Sequence, residues 1–388
     1  MNDLKNRFVE LFGGVGEGIR CFHAPGRVNI IGEHIDYNGG NVLPCALNMG
    51  TYALIRKNSK NKARFASTNF ETMVEIPVNG ADIAYDTRHG WANYPIGILH
   101  HMQADGHRPG GFDVLYSGNI PNGAGLSSSA SIEVVTALAL SQVFSLGYTM
   151  VELVKLAQKS ENQFCGVNCG IMDQFAVGMA KKDSAIYLNC DSLEHRHIHL
   201  MLGGYKIVIM DTNKRRQLNE SKYNERRAQC EEALAILSKA YPVRELAEIS
   251  PEDFEAAKHL IPDEVIRKRA RHVISENHRV EQAVETLEAG DIASLGRLIT
   301  QSHNSLRDDY EVSCVELDTI VSQALANPAC AGARMTGAGF GGCAIALVED
   351  KATQGFIEEI SANYAGAIGY APNMYIQESG HGAREIEA

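Results

Sequence analysis

No run of about 20 apolar residues occurs in the chain, so no membrane-spanning segment is expected. The first residues, MNDLKNRFVELFGG, mix charge with apolar positions and lack the unbroken apolar stretch of a signal peptide. Nine cysteines form no CxxC pair. Their odd count and scattered spacing fit reduced cytoplasmic thiols better than a disulfide framework. Cys165 and Cys169 lie four apart, but no second Cys/His pair completes a metal site. Basic residues are in deficit, 36 Lys+Arg against 47 Asp+Glu for a net charge of −11. That balance argues against a nucleic-acid partner, which demands a basic face. It leaves room for a local pocket that takes a small anion. GxxxxGK[ST] is absent, which excludes a P-loop enzyme. Tandem repeats and low-complexity linkers are absent too.

What remains is an ordinary globular composition over 388 residues, 45% hydrophobic, too apolar for a disordered chain. Its length suggests roughly two or three domain-sized cores. Periodicity predicts an amphipathic helix over 3–13 and strands within 22–31, 49–56, 63–67, 74–78 and 112–116. A helix is expected from near Tyr94 and another over 132–144. Thr149 followed by Glu152 is a capping-box signal for a helix with Leu153, Ala157 and Phe164 on one face. Further on, 205–210 reads as a buried strand, a helix begins near Ser221, and 253–305 is helical with a break at Gly290-Asp291. Strands dominate before about residue 200 and helices after it. The expected fold is therefore α+β, with two domains at 1–200 and 201–388.

Several segments carry polar groups that such a fold has to use. Gly123, Ala124, Gly125, Leu126, Ser127, Ser128 and Ser129 lead directly into a helix. Glycines let a ligand approach the backbone, and free N–H groups at a helix start attract anions. A plain serine cap would explain one of the three serines, and phosphate binding explains all of them. Gly337-Ala-Gly339-Phe-Gly-Gly342 matches GxGxxG formally, but residues 343–348 read as a strand where a dinucleotide fold needs a helix. A tight bend is the better reading there.

Glu33, His34 and Asp36 crowd into four positions beside glycines. Such a loop suits a sugar, a metal with distant help, or simply a solvated turn. Glu161 falls on the inward face of its helix, where a carboxylate has to be paired or hold a metal. Asp173, between apolar residues, is either buried and paired or a catalytic base. His195, His197 and His199 share one strand face, which is more simply a solvated face than a metal site.

Together the loops GRVNIIGEHIDYNGG (26–40), PNGAGLSSSAS (121–131) and MTGAGFGGC (335–343) resemble the GHMP small-molecule kinases. The first loop is similar to the galactokinase signature, and GVNCGIMDQFA (166–176) and KYNERRAQCEEA (222–233) resemble the same branch. The likeness runs from near residue 20 to past residue 345. It implies a two-domain GHMP kinase fold with the active site in the interdomain cleft. It also implies ATP-dependent phosphorylation of α-D-galactose at O1, the entry to galactose breakdown.

Carried onto this chain, Asp173 would be the base and Arg27 its transition-state partner. Glu33, His34, Asp36 and Tyr223 would bind the sugar. Gly123 to Ser129 would wrap the triphosphate, and Ser129 and Glu161 would hold Mg²⁺. Ser67 would touch the nucleotide, and Trp91 would lie near its base. Lys222, where many relatives carry an acid, and Asn122 in the ATP loop depart from the pattern without touching a catalytic role. A cytoplasmic monomer without an obligate protein partner is expected. The competing readings are an N-acetylgalactosamine kinase and a catalytically silent sensor that binds galactose and ATP to regulate transcription. A sensor would carry a damaged ATP loop, and this one is intact.

Overall fold

In the computed structural model, residues 1–78, 83–121, 123–214 and 219–387 are described. The chain begins with α1 (Asn2–Phe12) and β1 (Arg20–Asn29), then runs through β2 (Asn41–Val42), β3 (Pro44–Lys57), β4 (Lys62–Ser67) and β5 (Val74–Pro77). There follow α2 (Asn93–Ala104), β6 (Phe112–Gly118), α3 (Ser128–Phe144), α4 (Met150–Gln163) and α5 (Met172–Met179). Two strands, β7 (Ser184–Asn189) and β8 (His195–His199), join β2 in a small sheet of order β2-β7-β8. The second half holds β9 (Tyr205–Asp211), α6 (Asn219–Leu237), α7 (Pro251–Ala257), α8 (Glu264–Glu288) and α9 (Ile292–Asp308). It goes on through α10 (Val315–Ala326), β10 (Cys330–Thr336), β11 (Cys343–Glu349), α11 (Thr353–Ile368), β12 (Asn373–Gln377) and β13 (Arg384–Ile386).

The first large sheet has the order β13-β1-β3-β6-β4-β5, and β4–β6 is its parallel pair. Side chains alternate across it, as period-two strands require. Phe22, Ala53, Ile55 and Val114 face a helical layer, while Cys21, Leu54 and Leu115 meet Phe8 and Phe12 of α1 on the other side. Helix α3 is apolar nearly all round and lies buried against β1 and β3. Helix α4 begins at the capping box read from the sequence. Thr149 N donates to Glu152 Oε2 at 2.7 Å and Glu152 N donates to Thr149 Oγ1 at 3.3 Å.

The second sheet, β10-β11-β9-β12, is antiparallel throughout. Helix α9 lies directly on β10 because two glycines meet there: a Cβ at Gly296 would stand 2.0 Å from Ala331 O. Helices α6 and α8 pack together beside the small sheet. One apolar core runs from Val28 in β1 to Tyr364 in α11, so the two halves share it. The second sheet begins after β8, yet the segment 201–388 does not stay within it. Strand β13 crosses back and pairs with β1 at Cys21–His23. Among the described residues no helix is long and apolar enough to cross a membrane.

Candidate functional site

Where the two halves meet, a cavity of about 790 Å³ opens. Arg27, Glu33, His34, Asp36, Gly123, Gly125, Ser127, Ser128, Ser129, Glu161, Asp173 and Tyr223 all line it. The sequence-derived candidates outside it are Ser67, Trp91, Ala124 and Leu126. Ala124 and Leu126 turn their side chains into the core and leave only backbone to the loop.

Asp173 is the second residue of α5, a helix too short for its period to stand out. Arg27, in β1, is 4% exposed. Its guanidinium forks onto the carboxylate: Nε donates to Oδ1 at 2.8 Å and Nη2 to Oδ2 at 2.8 Å. Nη1 donates to Gly125 O at 2.7 Å, and Ser127 Oγ donates to Asp173 Oδ2 at 2.7 Å. Burial works against the charge on Arg27, but Asp173 and Glu33 outweigh it and raise its pKa. The pair therefore joins the glycine–serine loop to α5.

That loop alternates into the left-handed region at Gly123 (φ 76°), Gly125 (φ 77°) and Ser127 (φ 62°). Holding a serine there costs about 1–2 kcal/mol. Alternation of this kind builds backbone N–H concavities that suit an anion. Ala124 N is engaged, donating to Pro121 O at 3.3 Å, and α3 follows with the free N–H groups of a helix start. The second glycine loop is a bend between β10 and β11, as its flanking elements demand. It presses on the first loop: a Cβ at Gly337 would stand 2.8 Å from Gly125 O. Asn122, within the first loop, lies outside the described residues.

Glu161, near the end of α4, is buried and accepts from Gln174 Nε2 at 2.6 Å and from Ser129. Glu133, one turn into α3 from Ser129, is fully buried, and neither of its oxygens meets a donor of good geometry. Burial pushes Glu161 up to about 7, with the charge of Asp173 adding to it, and pushes Glu133 well above the usual carboxylate range, with Glu161 adding to that. Two buried acids and a hydroxyl form a hard-oxygen set that lacks positive charge, which fits a small divalent cation. Among the described residues no cluster of three His, Cys, Asp or Glu could hold a metal unaided. Phosphate oxygens and water would have to complete the coordination, as Mg²⁺ prefers.

The polar loop after β1 is buried rather than solvated. Glu33 accepts from Asn29 Nδ2 at 3.0 Å, Thr336 Oγ1 at 3.0 Å and Gly337 N at 2.6 Å. It also forms an ion pair at 3.1 Å with Arg334, whose side chain is 0% exposed. His34 adopts φ 61°, and its Nδ1 lies 2.8 Å from Tyr37 Oη. Burial lowers its pKa to about 3, so the ring is neutral. Asp36 accepts from the backbone N–H of Met172 at the start of α5. Burial, with Asp173 and Glu33 nearby, pushes it up to about 7. Only glycine fits at position 170, where a Cβ would stand 2.0 Å from Asp36 Oδ2. Tyr223 reaches over from α6, its ring 5.5 Å from that of His34 and 5.2 Å from that of Tyr37.

Ser67 lies in a second pocket of about 140 Å³ with Trp91, Phe70 and Tyr116. The two pockets meet at Tyr94, Ser128 and Ser129. Phe70 and Trp91 stack there, 5.9 Å apart and 12° from parallel. The histidines of β8 stay at the surface, with His197 Nε2 2.9 Å from Met179 O. Sequence reasoning missed Arg334, Glu133 and Gly170. A lone arginine between Ala333 and Met335 in an apolar strand was the available signal for the first.

The galactokinase galactose-binding signature matches residues 6–57, the GHMP kinases N terminal domain 93–181 and the GHMP kinases C terminal domain 283–366. A galactokinase of Clostridium tetani is 51% identical over 388 residues, covering 100% of this chain and 98% of that protein. A galactokinase of Bacillus subtilis is 47% identical, covering 99% of each. The crystal structure of Lactococcus lactis galactokinase complexed with galactose superposes with a TM-score of 0.96 at 41% identity, covering 99% of each chain. Mevalonate kinase of Methanococcus jannaschii shares the fold, with a TM-score of 0.67 at 19% identity over 93% of this chain and 98% of that one.

Proposed function

The chain belongs to the galactokinase family within the GHMP kinases, and we propose that its cavity transfers the γ-phosphoryl group of ATP to O1 of α-D-galactose, yielding galactose 1-phosphate and ADP. One observation supports this most. The Arg27–Asp173 pair stands between the sugar-type loop and the glycine–serine loop, and all three line a single cavity.

Asp173 takes the proton of the O1 hydroxyl as that oxygen bonds to phosphorus and the bond to the β,γ-bridging oxygen breaks. Arg27 orients Asp173 and faces the charge on the transferring group. His34, Asp36 and Tyr223 hold sugar hydroxyls, together with the one oxygen of Glu33 that has a single donor. The N–H groups from Gly123 to Ser129 and the start of α3 hold the triphosphate. Ser129 and Glu161 would hold Mg²⁺, which when bound neutralises phosphate charge. We read the chain as a cytoplasmic monomer without an obligate protein partner. Its nine free cysteines suit a reducing compartment.

The test is ADP release from ATP and Mg²⁺ over galactose, glucose, N-acetylgalactosamine and mannose. Turnover restricted to galactose and its close analogues is expected. Saturable galactose binding without turnover would mark a sensor instead, and preferred turnover of N-acetylgalactosamine would move the substrate.

On this reading the adenine base lies in the aromatic pocket beside Ser67. Trp91 is the only tryptophan. Its emission should therefore change on adding ATP and stay constant on adding galactose alone. A spectrum indifferent to saturating ATP would remove the base from that pocket.

A further inference from the structure

The turn that carries His34 is held from beneath by the other half of the molecule. Gly32 has φ 100° and His34 φ 61°, so two of three consecutive residues occupy the left-handed region. A Cβ at Gly32 would stand 2.8 Å from Asn41 O. This conformation turns the N–H groups of Gly32 and Glu33 inward, where no water can satisfy them, and a buried N–H without a partner is rare. Both point at one atom. Glu276 Oε1, on α8, accepts from Gly32 N at 3.0 Å and Glu33 N at 3.4 Å.

Glu276 is itself 0% exposed, which a carboxylate tolerates only when paired. Arg279 Nε donates to Oε2 at 2.8 Å, and Ser302 Oγ donates to Oε1 at 2.6 Å. Burial opposes its charge, but Arg279 and other nearby cations outweigh it and bring the carboxyl down to about 2. From the same helix, His272 Nε2 lies 3.0 Å from Glu33 O. So the backbone of residue 33 is gripped at both its N–H and its C=O by α8, while its side chain faces the second glycine loop.

We infer that Glu276 is a positioning residue for the sugar pocket: its carboxylate fixes the strained Gly32–His34 turn and so sets where His34 and Asp36 meet the sugar. This deepens the galactokinase reading and rests on it. Glu276 lines neither pocket and contacts no reacting atom.

The test is E276Q, which keeps the shape and one acceptor but loses the charge. Galactose affinity by calorimetry should fall about tenfold or more, because charge-assisted bonds to two buried N–H groups weaken together. The KM for ATP should stay within about twofold, since the triphosphate loop is tied through Arg27 instead. Unchanged galactose affinity in folded E276Q, or an equal loss for both substrates, would overturn the inference. If E276Q does not fold, R279M is read in its place, because it frees Oε2 and leaves the loop-facing oxygen. It should weaken galactose about threefold or more with ATP unchanged, and wild-type affinity would overturn the inference. Wild-type protein that fails to phosphorylate galactose would sink the underlying reading as well. Normal wild-type turnover with an indifferent E276Q sinks the inference alone.

Discussion

Asp173→Asn should lower kcat by about a thousandfold or more while galactose still binds, because the loss of a positioned base typically removes two to four powers of ten. The asparagine is nearly isosteric, and its one oxygen, standing where Oδ2 was, still accepts from Ser127 and from one arm of Arg27. What disappears is the acceptor for the O1 proton and the charge facing a guanidinium that is 4% exposed. Some stability will go with it, since a buried cation loses its counter-ion. Single-turnover kinetics separate the chemical step from folding, and a near-normal rate in folded protein would refute the assignment.

A second consequence follows at Asp36. Burial raises it to about 7 first, and the charges of Asp173 and Glu33 add to that. In the wild type, lowering the pH through about 7 protonates Asp36 and removes an acceptor for a sugar hydroxyl, so galactose binding should weaken on the acid side. In D173N one of the repelling charges is gone, so the same weakening should move to lower pH. Calorimetric titrations across pH 5.5 to 8.5 decide it, roughly bracketing the titration of such a carboxyl. Superimposable profiles for the two proteins would show that Asp36 does not sense Asp173.

Glu33→Ala should reduce stability by about 3–5 kcal/mol in addition to weakening galactose binding, because it strands a buried charge. Arg334 is 0% exposed and pairs with Glu33, and Gly337 N and Thr336 Oγ1 both donate to that carboxylate. A residue that only held a sugar would cost affinity on removal and little else. Chemical denaturation of the ligand-free protein makes the distinction. Wild-type stability in E33A would show that Glu33 is not the tie between the sugar loop and the second glycine loop. Glu33→Gln, which keeps an acceptor for Gly337 N, should fall between the two.

Much of the site was legible because its signals are local. Serines behind two glycines announce a helix start, and Thr149 with Glu152 announces another. Glu161 on an inward helix face declared that something had to pair with it, and Ser129 and Gln174 do. Periodicity failed at α5, because eight residues hold barely two turns. It failed again at β13, whose three residues carry no strand signal without their partner. Glu276 could not be found locally at all. It reads as one more acid on the long helix α8, and only folding brings it to Gly32, from 244 positions away in sequence. Long-range polar contacts of this kind depend on tertiary placement, which no neighbouring residue records.

The pairing of β13 with β1 also bears on how the protein is made. Residues 21–23 leave the ribosome long before their edge partner, residues 384–386, which follows every other paired strand among the described residues. At about 5–20 residues per second, that edge waits for about 20 to 70 seconds with its hydrogen-bonding groups unmet. An open edge is a template for pairing with another chain. During synthesis, then, the vulnerable moment of this molecule lies at its first strand. It ends only when residues 384–386 have been translated and can pair.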